Sequence, residues 1–154
     1  MREIKFRGKR IDNGEWVYGF YVCYGGAIPT PTHIIHAPDN LNCLCGSNFE
    51  VDPKTVGGSF VYKGQRFFDG DILRRTSTNE VKMLNRDDGG ATYTTQTHTE
   101  YVYVSWDEKE GCWYAKRRNH SIVSMLYQYL KVFEKDIENV GNVHDKPEFL
   151  EVLK

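Results

Sequence analysis

Apolar and polar positions alternate with a period of two along most of this chain, in short runs separated by turn residues, which is the pattern of half-buried strands. Ile4, Phe6 and Gly8 alternate with Lys5, Arg7 and Lys9. Asn13-Gly14 follows, and then Glu15 to Tyr24 gives the aromatic and β-branched run EWVYGFYVCY. Asn-Gly between two such runs predicts a hairpin with a type I′ turn, whose two central residues both need positive φ. Lys5, Arg7 and Lys9 then share one face of the first strand. A solvated outer face is the plain reading of these cations, and a phosphate-binding stripe is the functional one.

Pro29 and Pro31 hold the next residues in loop or extended edge conformations, and Thr32 to Ala37 reads as a short strand. Pro38 to Asn48 is a polar loop carrying Cys43 and Cys45. From Phe49 to Arg75 the turn signals dominate. Asp52-Pro53 bends the chain, Val56 to Tyr62 is expected to cross the core, and Asp69-Gly70-Asp71 turns into the strand Ile72-Leu73. Arg74 to Leu84 alternates weakly and predicts a second hairpin arm around Thr78-Asn79.

Asn85 to Thr99 holds one large apolar residue, Tyr93, so burial cannot offset the entropy of ordering it. It is expected to be a mobile loop or a protruding hairpin tip. Glu100 to Asp107 and Cys112 to Lys116 form a clear hairpin around Glu108–Gly111. Ser121 to Lys131 is ambiguous. Residues 122, 125, 126, 129 and 130 make a helical stripe that Ser121 can cap, whereas Ile122 and Val123 favour a strand. A helix over 121–131 is the expectation. A last strand is expected over 136–143, and Pro147-Glu148 opens a short helix towards 154. The fold class is therefore mainly β with minor helix.

At 154 residues this is one domain by prior, long enough to bury a real core. Ten Tyr, 8 Phe, 3 Trp and 14 Gly suit strands joined by tight turns. A net charge of -1 supplies no global basic field, which argues against a dedicated DNA-binder but not against a local basic face. The first residues, MREIKFRGKR, lack the apolar core of a signal peptide, and no run approaches the 18 apolar residues of a membrane span. Cys23, Cys43, Cys45 and Cys112 follow no disulfide-framework spacing, so free thiols in a reducing cytoplasm are expected.

Three segments carry a combined signature: KFRGKRIDNGEWVYGFYV, VDPKTVG followed by FFDGDIL, and VGNVHDKPEFLE. In this order, from Arg2 to Glu151, the chain resembles the YopX family of small phage and prophage proteins. The resemblance implies a mainly β fold with a small SH3-like barrel, a tendency to oligomerise and no established catalytic residue. It suggests one YopX-like domain over 1–154, with an N-terminal hairpin unit over 1–48 and a barrel-like part over 49–154 whose barrel begins near Phe67. The chain departs from the family between Gly57 and Phe67, where it has only Lys63-Gly64 in place of a longer Gly- and Lys-rich turn.

Four constellations could carry chemistry. His33, His36, Cys43 and Cys45 offer the ligand types of zinc within thirteen residues. Their H-x2-H and C-x-C spacings are not those of a standard knuckle, and a strand at 32–37 sets the two histidines on opposite faces. Surface histidines and loop thiols are the preferred reading, and no cofactor is expected. Glu50, Asp52, Asp69 and Asp71 could pair as acid and base, but no nucleophile or phosphate-cradling loop lies nearby, and turn chemistry explains Asp52-Pro53 and Asp69-Gly70. Arg74, Arg75, Lys116, Arg117 and Arg118 lie at strand ends near Tyr101, Trp113 and Tyr114, the mixture by which barrels hold single strands. Lastly, EWVYGFYV and EYVYVSWD carry aromatics on both alternating faces, more than one small core needs, which points to an interface and a homo-oligomer. The expected role is a non-enzymatic phage or prophage accessory protein of the host cytoplasm. It would act by contact with phage or host proteins or by self-assembly, with nucleic-acid binding as the alternative and no membrane partner.

Overall fold

The computed structural model describes residues 5–25, 31–38, 46–84 and 90–151. It is mainly β, as the alternation predicts, and divides into two compact units. The first comprises residues 1–70 with the tip Trp106–Gly111, and the second Asp71–Ser105 with Cys112–Lys154. The sequence reading divides the chain after residue 48; the compact units divide at Gly70.

In the first unit, β1 (Phe6–Lys9), β2 (Trp16–Tyr24), β3 (Thr32–Pro38) and β4 (Gly46–Glu50) form a four-stranded antiparallel sheet in sequence order. β4 takes up residues 46–48, the end of the segment expected as a polar loop. The β1–β2 connection is not a two-residue type I′ turn. Lys9 pairs with Trp16, the Gly14 amide donates to the Arg10 carbonyl at 3.0 Å, and Gly14 alone takes positive φ there (73°). The Asn13 side chain accepts the Glu15 amide instead. The type I′ hairpin lies elsewhere, at Lys63-Gly64 (φ 47° and 84°), joining β5 (Ser59–Tyr62) to β6 (Gln65–Phe68). The segment expected to cross the core, Val56 to Tyr62, thus ends in a hairpin arm paired with β6, with Val61 exposed.

Ile35 and Val51 are fully buried here, and Phe67 and Phe68 nearly so. Arg7 is 6% exposed, which overturns the solvated outer face. Its guanidinium sits between the rings of Trp16 (4.6 Å) and Phe68 (4.9 Å) and donates to the Asp69 carbonyl at 2.9 Å.

The second unit is an open five-stranded antiparallel sheet, order β10–β9–β8–β7–β11. Its strands are β7 (Asp71–Leu84), β8 (Ala91–Asp107), β9 (Cys112–Lys116), β10 (Ile122–Met125) and β11 (Ile137–Asn142). The closed SH3-like barrel does not form: β10 and β11 remain edges, and the sheet starts at Asp71, while Phe67 belongs to the β5–β6 hairpin. No turn interrupts β7 at Thr78-Asn79, which pair straight across with Thr97 and Gln96. Residues 91–99, expected in a loop or hairpin tip, are strand throughout, with the register unbroken from Ile72↔Tyr103 to Leu84↔Ala91.

The helical stripe and the strand signal of 121–131 are both present, in succession. β10 ends at Met125, and α1 (Leu126–Phe133) begins there, so Met125 rather than Ser121 occupies the cap position. The Ser121 hydroxyl bonds Asn119 instead. Leu126, Tyr129 and Leu130, spaced i, i+3, i+4, are the face α1 buries against β9 and β10. α2 (Glu148–Glu151) brings Phe149 against Ile72 and Tyr103. By strand alternation Leu73, Val102 and Val104, all fully buried, face the other way, so the sheet is covered on both sides.

Candidate functional site

The five basic residues singled out lie in the second unit but do not form one groove. Arg75 and Glu100 are directly opposed on β7 and β8, with Nη1 donating to Oε2 at 3.4 Å. Arg117 donates to the other oxygen of the same carboxylate from Nε (3.2 Å) and Nη2 (3.0 Å). The Glu100 side chain is only 15% exposed, so one sheltered carboxylate is shared by two arginines. The Arg75 guanidinium also lies 3.6 Å above the Phe133 ring.

By alternation Arg74 faces the opposite side. It is paired with Glu138 of β11, whose hydrogen bond and charge push its pKa further up. Arg118 packs its guanidinium over Phe149 (4.5 Å) and Tyr101 (5.6 Å), and the Lys116 amine lies 6.0 Å from the Tyr114 ring. Side chains of both charges are thus largely occupied with each other or with rings.

Two residues that the sequence reading passed over complete this region. Glu100 reads as a plain strand start, and its role appears only once the register sets it against Arg75. His120 takes positive φ (60°) in the turn after β9, where its amide bonds the Arg117 carbonyl at 2.9 Å. Its Nδ1 shares a 2.7 Å hydrogen bond with the Tyr103 hydroxyl, the two rings meeting edge to face. Asn119-His120 between two strand runs was the available signal, since both residues tolerate the left-handed region. Near the Arg75–Glu100–Arg117 cluster, Tyr129 is 1% exposed, its hydroxyl has no partner among the described residues, and burial pushes its pKa up to about 12.

The two histidines of the zinc candidate set each meet a neighbouring strand residue. His33 Nδ1 is 2.5 Å from the Tyr21 hydroxyl, with the rings stacked, and His36 Nδ1 is 2.7 Å from Asn48 Oδ1. Cys43 and Cys45 lie outside the described residues, and among the described residues no three His, Cys, Asp or Glu side chains group as a metal site. Three of the acidic set accept amides. Asp52 caps the 3-10 turn Pro53–Thr55 by accepting the Lys54 amide (2.9 Å), and Asp69 accepts the Trp106 amide (3.2 Å). Asp71, 3% exposed, is held by the amides of Asn139 (2.9 Å) and Asn142 (3.5 Å).

On β2, Tyr18, Phe20 and Tyr24 point to one side and are 48%, 45% and 58% exposed. β3 adds Ile34 and His36 to that face through the pairs Val22↔Ile34 and Phe20↔His36.

Fold and side-chain chemistry together define a mainly β protein of two antiparallel units in which Asp52 caps a turn, Asp69 and Asp71 accept amides, and Glu100 and Glu138 pair with arginines. A family model described as YopX protein matches residues 5–151, nearly the whole chain, and the chain belongs to the YopX family. No curated protein and no solved structure matches it.

Proposed function

We propose that this is a non-catalytic accessory protein of a phage or prophage that works in the host cytoplasm by protein contact or self-assembly. The observation that supports it best is the aromatic face of β2, where Phe20 and Tyr24 stand about half exposed beside Tyr18, whose ring leans on Phe68. Contiguous exposed aromatics are costly to leave in water and are the residues that interfaces favour. The test is light scattering of the purified chain across concentration. A mass rising above 17.9 kDa with concentration is the expected result. A monomer at high concentration contradicts the reading.

The alternative is nucleic-acid binding through Arg74, Arg75, Lys116, Arg117 and Arg118. The pairing of three of these arginines with Glu100 and Glu138 weighs against it. A submicromolar affinity that falls steeply with salt would favour it instead.

A further inference from the structure

Strands β7 and β8 run on beyond the sheet that holds them. β11 stops flanking β7 at Ile137↔Arg75. β9, joined to Asp107 by the short turn Glu108–Gly111, can flank only the near end of β8. From Thr76↔Thr99 to Met83↔Thr92 the two strands have no third strand beside them among the described residues. Every side chain from Ala91 to Thr99 is exposed. A two-stranded ribbon that buries so little is marginal on its own in water.

The two edges of this ribbon differ. That of β7 carries the exposed charges Glu80 and Lys82. That of β8, from Tyr93 to Thr99, reads YTTQTHT, with no Asp, Glu, Lys, Arg, Pro or Gly, and no bulge breaks its register. Lone edges are normally guarded by such charges, prolines or bulges, because an unguarded one pairs with other chains.

We propose that the outer edge of β8 from Tyr93 to Thr99 docks against the same edge of a second copy of this chain. The two ribbons then form one four-stranded antiparallel sheet about a two-fold axis near Gln96. The occupant is argued from the edge itself. Pairing an uncharged strand with itself sets no like charges opposite, and the axis brings Thr95 opposite Thr97 and Tyr93 opposite Thr99, favourable β-branched and aromatic pairs. A strand from a different protein would be chosen by side-chain pockets, and these side chains all stand open rather than lining one. Nucleic acid would need lysines or arginines, and Tyr93–Thr99 has neither.

This inference rests on the self-assembly reading but assigns the two-fold contact to the ribbon, away from the aromatic face of β2. The experiment is sedimentation velocity on the full chain and on Thr95→Lys/Thr97→Lys, which sets like charges across the axis. The native chain is expected at twice 17.9 kDa and the variant at 17.9 kDa, with the same far-UV circular dichroism. Gln96→Glu, a milder change, is expected to weaken association at least about tenfold. A variant pair that keeps the dimer mass overturns the ribbon contact while self-assembly stands. So does a dimer that dissociates only in Phe20→Ser/Tyr24→Ser. A native chain that is monomeric at every concentration overturns both.

Discussion

The β7–β8 hairpin is two structures in one register. Its near half, Asp71–Arg75 against Glu100–Tyr103, carries Ile72, Leu73, Val102 and Tyr103, none more than 8% exposed, and is flanked by β11. Its far half, Thr76–Met83 against Thr92–Thr99, runs on with the same backbone ladder and almost nothing buried. The Arg75–Glu100 pair marks the boundary: it is the last position that β11 flanks. Strand geometry is therefore continuous where energetics is not. Main-chain pairing carries β structure past the core, and side-chain burial decides which half stabilises the fold.

The strongest way to break this contrast is Leu73→Ala. Leu73 is fully buried, so truncation should cost about 2–5 kcal/mol through lost burial and a cavity, measured by urea unfolding. Glu100→Ala acts at the boundary. It leaves Arg75 and Arg117 without their shared carboxylate and should cost about 1–3 kcal/mol, the range for hydrogen bonds to charged groups.

Tyr129→Phe sharpens the picture of the near half. It removes a buried hydroxyl with no partner among the described residues, so neutral-pH stability should hold or rise slightly. With the folded pKa raised to about 12 against about 10 unfolded, the phenol is neutral in both states below pH 10 and stability there is level. Stability is lost as pH rises from 10 to 12, because the unfolded chain ionises first. Unfolding curves across that window should show the alkaline loss diminished in Tyr129→Phe; an identical loss would mean the hydroxyl is not desolvated. Smallest of all is Thr78→Ala in the far half, expected within about 0.5 kcal/mol by urea unfolding at monomeric concentration. A cost like that of Leu73→Ala would mean the ribbon belongs to the core.

Alternation made most strands legible, from Trp16–Tyr24 to Cys112–Lys116, because one buried face leaves a period-two trace. The far half of the hairpin left no such trace. Its threonines are β-branched and suit a strand, but their pairing partner lies across a connection, and no apolar stripe reveals the register. At 121–131 both signals were visible, but not the switch between them. Ile122, counted in the helical stripe, is 51% exposed on β10, while Leu126, Tyr129 and Leu130 alone form the buried face. The barrel failed for a related reason: closure depends on how edges meet, which local patterning does not encode. The basic set was legible as residues but not as an arrangement. Glu100 is 25 positions from Arg75, so the neutralising contact exists only once the strands are in register.

The bare half of the hairpin is best tested by residue-resolved amide hydrogen exchange over Tyr93–Thr99 at low and high protein concentration. If a second copy covers this edge, protection there rises with concentration in step with the dimer mass, while Leu73 and Val102 stay protected throughout. Rapid exchange at Tyr93–Thr99 that is unchanged when the chain is fully assembled would contradict it.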